Sequence, residues 1–106
     1  MTYCDVRITD HALNDMAEIH EYICEKLFAP DAAMNQYNRI ADAIEMLREF
    51  PERYRLLESE PERTQGIRIL PVDNYAVLYT IRASSVFVLR VLYGASNIVS
   101  RLRSDQ

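Results

Sequence analysis

Glycine, lysine, tryptophan and cysteine are scarce in this chain of 106 residues. With only Gly66 and Gly94 available, neither a GxxxxGK nor a GxGxxG phosphate-binding loop can form. The two histidines, His11 and His20, lie in one helical segment, and no Cys, His or Glu cluster has metal-ligand spacing. The sequence therefore excludes nucleotide-binding enzymes of these two classes, and we expect neither a cofactor nor a metal.

Long apolar runs and a signal-like N-terminus are also absent. No run reaches the roughly 18 apolar residues of a membrane span, so we expect a soluble, cytoplasmic protein with no membrane partner. Cys4 and Cys24 have no zinc-type spacing, and such a pair in an unexported chain predicts reduced thiols. The length predicts one domain over residues 1–106.

Charge is unevenly distributed. Residues 1–50 carry 4 basic and 10 acidic side chains, whereas residues 51–106 carry 8 basic and 6 acidic. Arginine supplies 11 of the 12 cations, and arginine suits bidentate contact with carboxylate or phosphate. We therefore expect any anion-binding surface in the C-terminal half. The net charge of −4 disfavours non-specific nucleic-acid binding.

Periodicity predicts a strand and two helices in the first half. Alternation over residues 3–8 predicts a half-buried strand, and Thr9-Asp10 offers a helix N-cap. Apolar residues at helical spacing predict a first helix over about residues 11–28 and a second over about 31–49, which Pro51 ends. The connection is short, which predicts an antiparallel hairpin.

The polar face of the first helix is strongly acidic. We expect it to face solvent, and it carries Asp15, Glu18, Glu21, Glu25 and Lys26. The apolar stripes of the two helices would then cover one face of a sheet.

Residues 66–98 contain three runs rich in β-branched and aromatic side chains, which predicts an antiparallel meander. The predicted fold is thus α+β in the order β-α-α-β-β-β, with a helical hairpin on one face of a small, mostly antiparallel sheet. A three-residue turn at 83–85 would bring the large side chains together under the helices. It would pair Ile81 with Phe87, Tyr79 with Leu89, and Val77 with Val91.

The other sheet face would then be uncovered. It would carry Leu78, Val88, Arg90 and Leu92, and an exposed apolar patch of this kind usually marks an interface. The orientation of Arg68 stays open, because Pro71 in the same strand marks an edge, a bulge or a strand end. The tail, residues 96–106, either forms a last helical turn or lies along the sheet.

Several short motifs follow one another in a set order. They are Ala32-Ala33 after Pro30, Pro51, Arg68-Ile69-Leu70-Pro71-Val72, Asn74-Tyr75-x-x-x-Tyr79, Leu89-Arg90-Val91-Leu92-Tyr93-Gly94 and Asn97. Over nearly the whole chain, this set resembles the RelE/ParE family of toxins from type II toxin–antitoxin systems.

The resemblance implies a bacterial toxin that inhibits growth and is neutralised by a cognate antitoxin encoded beside it. RelE-like members cleave mRNA in the ribosomal A site, whereas ParE-like members poison DNA gyrase. Ribonuclease members often carry arginine where this chain has Ala76, and a histidine or basic residue where it has Tyr93. These two differences, with the acidity of the chain, favour a non-nuclease, ParE-like activity or a weak nuclease. If the protein is an enzyme, it is a metal-independent endoribonuclease with Arg68, Arg90 and Tyr93 as the catalytic candidates.

The uncovered face and the C-terminal strand are expected to bind the antitoxin or the target. The residues assigned to this binding are Leu78, Val88, Arg90, Leu92 and Arg101, and association into a homodimer is the alternative use of the same patch. The alternative function is a non-toxic binding module, a decayed toxin that only binds its antitoxin.

Overall fold

The computed structural model describes residues 4–94 and 98–104. The elements are β1 (Asp5–Ile8), α1 (Asp10–Glu21) with a π-helical turn (Tyr22–Lys26), α2 (Pro30–Glu45) with a 3-10 turn (Met46–Arg48), β2 (Arg68–Val72), β3 (Tyr75–Arg82), β4 (Ser85–Tyr93) and α3 (Ile98–Ser104). The predicted α+β order is confirmed, and α3 adds a third helix from the tail. Within the described ranges, no helix has both the length and the apolar character needed to cross a membrane.

The four strands form one mixed sheet in the order β1-β4-β3-β2. β1 runs parallel to β4, and the other two pairs are antiparallel. A parallel pair needs a connection that crosses over the sheet, and here α1, α2 and the strands β2 and β3 separate β1 from β4. The two helices therefore cover one face of the sheet, as predicted.

Local signals set the helix ends where they were expected. The Thr9 hydroxyl accepts a hydrogen bond from the Ala12 amide at 3.2 Å and caps α1. Pro30 occupies the first turn of α2, where its missing amide hydrogen has no cost. Cys4 and Cys24 are not joined to each other in a disulfide.

The turn between β3 and β4 differs from the prediction. Ala83-Ser84 forms a two-residue turn, with Ala83 at a φ of 54°, a positive value of the kind that tight hairpin turns require. Ile81 therefore lies opposite Val86, and the predicted pairing of Ile81 with Phe87 is wrong.

A β-bulge separates the two halves of the β3–β4 ladder. Tyr79 pairs with Val88, so the predicted pairing with Leu89 is also wrong, and Leu89 has no partner on β3. Because the bulge adds one residue to β4, the strands beyond it return to the predicted pairing of Val77 with Val91.

The sheet face opposite the helical hairpin is covered, not open. A second apolar core there consists of Leu57, Ile67, Ala76, Leu78, Leu92, Ile98 and Leu102. Leu78 and Leu92 lie in this core together with residues of α3, while Val88 faces the helices in the main core. The predicted exposed patch of Leu78, Val88 and Leu92 is therefore wrong, because α3 and the loop before β2 shield one face and the bulge turns Val88 to the other.

An ion pair fastens α3 to the loop before β2. Arg103 Nε and Nη2 donate to the two carboxylate oxygens of Glu62 at 2.8 and 3.0 Å, and Nη2 also donates to the Glu60 carbonyl at 2.6 Å. The Arg103 hydrogen bonds, with one from the Ser59 hydroxyl, lower the pKa of Glu62 to about 2 although burial opposes the shift.

Acid should release this contact. The pKa of Glu62 lies below its ordinary value, so its contribution to stability is complete above about pH 4.5 and is lost as the pH falls towards about 2. We expect Glu62→Gln to lower the urea midpoint more at about pH 7 than at about pH 3. Glu58→Gln, an exposed change in the same loop, is the control. An equal effect of Glu62→Gln at both pH values would contradict this assignment.

Candidate functional site

α1 takes the place of a strand beside the second half of β4. β1 pairs with β4 only as far as Ile8 opposite Val88. The Thr9 amide then donates to the Val88 carbonyl at 3.1 Å, and the Thr9 hydroxyl lies 2.9 and 3.2 Å from the carbonyl oxygens of Val88 and Leu89. Backbone groups of β4 that would otherwise lack a strand partner are thus satisfied by the start of the helix.

Two turns into α1, Asp15 continues this edge. One carboxylate oxygen accepts the Val91 amide at 2.9 Å and Arg90 Nε at 2.7 Å, and the other accepts Arg90 Nη2 at 2.9 Å. The two side chains are only 10% and 11% exposed. This is the forked, two-point geometry that arginine and carboxylate form best. The prediction that Asp15 faces solvent is wrong, because it lies on the inner face of α1 with Ala12 and Met16.

A groove of about 640 Å³ opens beside this ion pair. We call it the α1–β4 groove, and it lies between α1 with its π-helical turn, the start of α2 and the end of β4. Its lining is Asp15, Glu18, Ile19, Tyr22, Ile23, Leu27, Ala32, Gln36, Tyr75, Arg90, Val91, Leu92, Tyr93 and Arg101. The charged members are two carboxylates and two guanidinium groups, so the groove has aliphatic and aromatic walls without an excess of positive charge.

Two tyrosines form the end of the groove nearest β3. The rings of Tyr75 and Tyr93 meet edge to face with their centroids 5.4 Å apart, and Tyr93 is 61% exposed. Arg101 donates to the Tyr93 carbonyl oxygen and so ties α3 to the end of β4. Partial burial, with a smaller effect of Tyr93, raises the pKa of Tyr75, so its hydroxyl stays protonated at neutral pH.

The structure brings together four of the seven predicted site residues, Leu92 and the three named next, and separates the others. Arg90, Tyr93 and Arg101 line the α1–β4 groove. Arg68 is elsewhere: it pairs with Tyr79 on β3, and its Nη1 donates to the Tyr54 and Glu52 carbonyl oxygens at 2.7 and 3.2 Å. Arg68 therefore holds the loop after α2, and its orientation, left open by the sequence, is settled.

Leu92 contributes to the groove wall although it is nearly buried, whereas Leu78 and Val88 are fully buried away from it. Sequence reasoning missed the wall that α1 supplies, namely Asp15, Ile19, Tyr22, Ile23 and Leu27. A signal for Asp15 was present, since it lies three residues after Ala12 and four before Ile19 and so shares their helix face.

Among residues 4–94 and 98–104, no group of three His, Cys, Asp or Glu side chains could hold a metal ion.

Comparison with known proteins decides the family. The family described as ParE toxin of type II toxin-antitoxin system, parDE, matches residues 6–98. The chain belongs to the ParE toxin family. A similar member is Toxin ParE3 of Caulobacter vibrioides, which is 30% identical over 88 residues, covering 83% of this chain and 84% of that protein.

Comparison with solved structures supports the fold. The chain is similar to one from the chromosomal ParDE TA system of P. aeruginosa, with a TM-score of 0.74 and 18% sequence identity. The similarity covers 88% of this chain and 98% of that one. The agreement shows that the arrangement of strands and helices is that of a ParE-like fold.

Breaking the Asp15–Arg90 pair should be costly. We expect Asp15→Asn to destabilise the protein by about 3–5 kcal/mol, because a buried guanidinium then loses its counter-charge. The double variant Asp15→Asn/Arg90→Met should cost less than the sum of the two single changes. Urea denaturation of all four proteins measures this coupling.

Asp42→Asn on the exposed face of α2 is the control, with an expected change within about 0.5 kcal/mol. Additive single effects would show that the two side chains do not stabilise each other.

Proposed function

We propose that this ParE-family protein is a growth-inhibiting toxin that poisons DNA gyrase and does not cleave mRNA. The observation that supports this most strongly is the state of Arg90, whose guanidinium is held by the buried Asp15 carboxylate. An arginine with a carboxylate in two-point contact is poorly suited to bind a phosphate as well.

Cleavage of RNA by its 2′-hydroxyl needs a base, a leaving-group acid and a cation for the developing phosphorane charge. In the α1–β4 groove, Asp15 offsets the charge of Arg90, and Tyr75 remains a protonated phenol at neutral pH. Arg68, the third predicted catalytic residue, is engaged with two backbone carbonyls outside the groove. The groove therefore favours a protein contact over phosphate chemistry.

The same groove is the proposed site for a segment of the cognate antitoxin, which the family implies as a partner. Its aliphatic wall and the exposed rings of Tyr22 and Tyr93 suit an amphipathic segment. This assignment drops Leu78 and Val88 from the predicted patch, because their buried side chains offer a partner no surface, and keeps Leu92 as part of the groove wall.

Two assays on the purified toxin separate the possible activities. We expect the protein to trap gyrase–DNA cleavage complexes, and we expect no cutting of ribosome-bound mRNA. Tyr93→Phe should leave the gyrase effect unchanged, because the hydroxyl has no role in this activity. Cutting of ribosome-bound mRNA that is lost in Tyr93→Phe would contradict the proposal and favour a RelE-like nuclease.

Expression of the chain without its antitoxin tests the remaining alternative. Growth arrest with filamentation and a DNA-damage response is expected for gyrase poisoning. Normal growth of cells that contain the folded protein would favour the non-toxic binding module.

Antitoxin binding tests the groove itself. Tyr93→Ala should weaken the antitoxin complex by at least about tenfold, because it removes an exposed ring at the mouth of the groove. Met46→Ala changes a side chain of equal exposure outside the groove and is the matched control. Titration calorimetry with the antitoxin measures both, and equal affinities for the two variants would place the antitoxin elsewhere.

A further inference from the structure

The tip of the helical hairpin exposes an aromatic side chain on a strained backbone. Phe28 lies between the π-helical turn and α2, is 87% exposed and has a φ of 53°. Helix ends with this left-handed conformation usually use glycine, because a side chain there crowds the backbone. A large apolar side chain in that position favours neither folding nor solubility, so its presence calls for a use.

The backbone around Phe28 is held in place. The Ala29 amide donates to the Ile23 carbonyl at 3.2 Å, which closes the π-helical turn over the tip. The Ala33 amide donates to the Ala29 carbonyl at 2.9 Å, and Pro30 starts α2 with a restricted φ. The ring thus projects from a fixed base, which reduces the ordering cost when a partner covers it.

Two carboxylates and one ammonium flank this tip in the sequence. Glu25 and Asp31, each three residues from Phe28, are exposed, and so is Lys26, two residues from it. Leu27 beside Phe28 is 55% exposed and extends the apolar surface. Because the two carboxylates outnumber the one ammonium, the tip disfavours a nucleic-acid backbone or an anionic lipid bilayer, and it complements an apolar protein pocket bordered by lysine or arginine.

We infer that Leu27 and Phe28 form the anchor with which this toxin docks on its target protein, in an apolar pocket with a basic border. The inference rests on the proposed function, in which the target is a protein. Leu27 also lines the α1–β4 groove, so an antitoxin segment in that groove would lie against the anchor and hinder docking.

Phe50 provides an internal comparison. It has a φ of 54° and is 63% exposed, so it matches Phe28 in residue type, backbone conformation and exposure. Phe50 follows the 3-10 turn at the opposite end of α2 from the hairpin tip, and it does not line the α1–β4 groove. Phe50→Gly is therefore the matched control for Phe28→Gly.

The test compares these two variants in three assays. Glycine accepts a positive φ, so both variants should fold, and thermal unfolding verifies this. We expect Phe28→Gly to lose growth arrest and to bind purified gyrase holoenzyme at least about tenfold more weakly, with antitoxin affinity within about threefold of wild type. Phe50→Gly should match the wild type in all three. Asparagine also tolerates the left-handed region, so Phe28→Asn repeats the test with a second side chain.

Charge reversal examines the border of the pocket. Glu25→Lys/Asp31→Lys should weaken gyrase binding more at low salt than at high salt, because like charges then face each other. A gain in affinity would show that the target surface is acidic and would overturn the assigned chemistry.

Full growth arrest by Phe28→Gly overturns the inference, as does loss of antitoxin binding with arrest intact. If wild-type toxin does not bind gyrase, the proposed target is wrong, and the growth assay still decides the anchor. In that case the anchor would dock on another protein, and this is supported if only the Phe28 variants lose growth arrest while they still bind the antitoxin. Retained arrest in those variants rejects the anchor whichever target is correct.

Discussion

The contact between Asp15 and Arg90 organises the functional half of this molecule. β1 is too short to cover all of β4, so it leaves the Val91 amide to be satisfied by another element, and the largely buried Arg90 guanidinium lies at the same edge. Asp15 satisfies both from α1 and thereby sets how the helix lies along the sheet. The α1–β4 groove exists because the helix is held at this distance and continues past the end of the strand.

This contact also limits the chemistry of the groove. The guanidinium that the sequence suggests for phosphate binding is committed to a carboxylate, and the arginine on β2 is committed to backbone carbonyls. The accessible surface around α1 is apolar and aromatic, and acidic side chains border it. The protein thus offers its partners shape and apolar contact, which suits the protein–protein role proposed for this ParE-family toxin.

Some of this was accessible from the sequence. Alternation and helical spacing located the strands and both long helices, Thr9 and Pro30 marked helix starts, and motif order indicated the family. The predicted strand pairing was wrong where one extra residue shifts the register. The bulge at Leu89 places Val88 on the sheet face that packs against the helices. The alternation of side chains could not reveal this shift, because both faces of β4 are apolar. Prediction also failed for the open face, since α3 is a short segment with a weak pattern.

The sequence by itself determined the elements, their order and the family, because these depend on local periodicity and on motifs that lie close together in the chain. Only the tertiary structure decided which charges meet. Asp15 and Arg90 are 75 residues apart in the sequence. The parallel pairing of β1 with β4 places α1 beside the end of β4 and so brings the two side chains together. From the sequence alone, a carboxylate in an acidic helix is expected to face solvent. Asp15 can be buried because it is paired with groups of β4, and the free energy of burying a charge depends on its partner as well as on the residue.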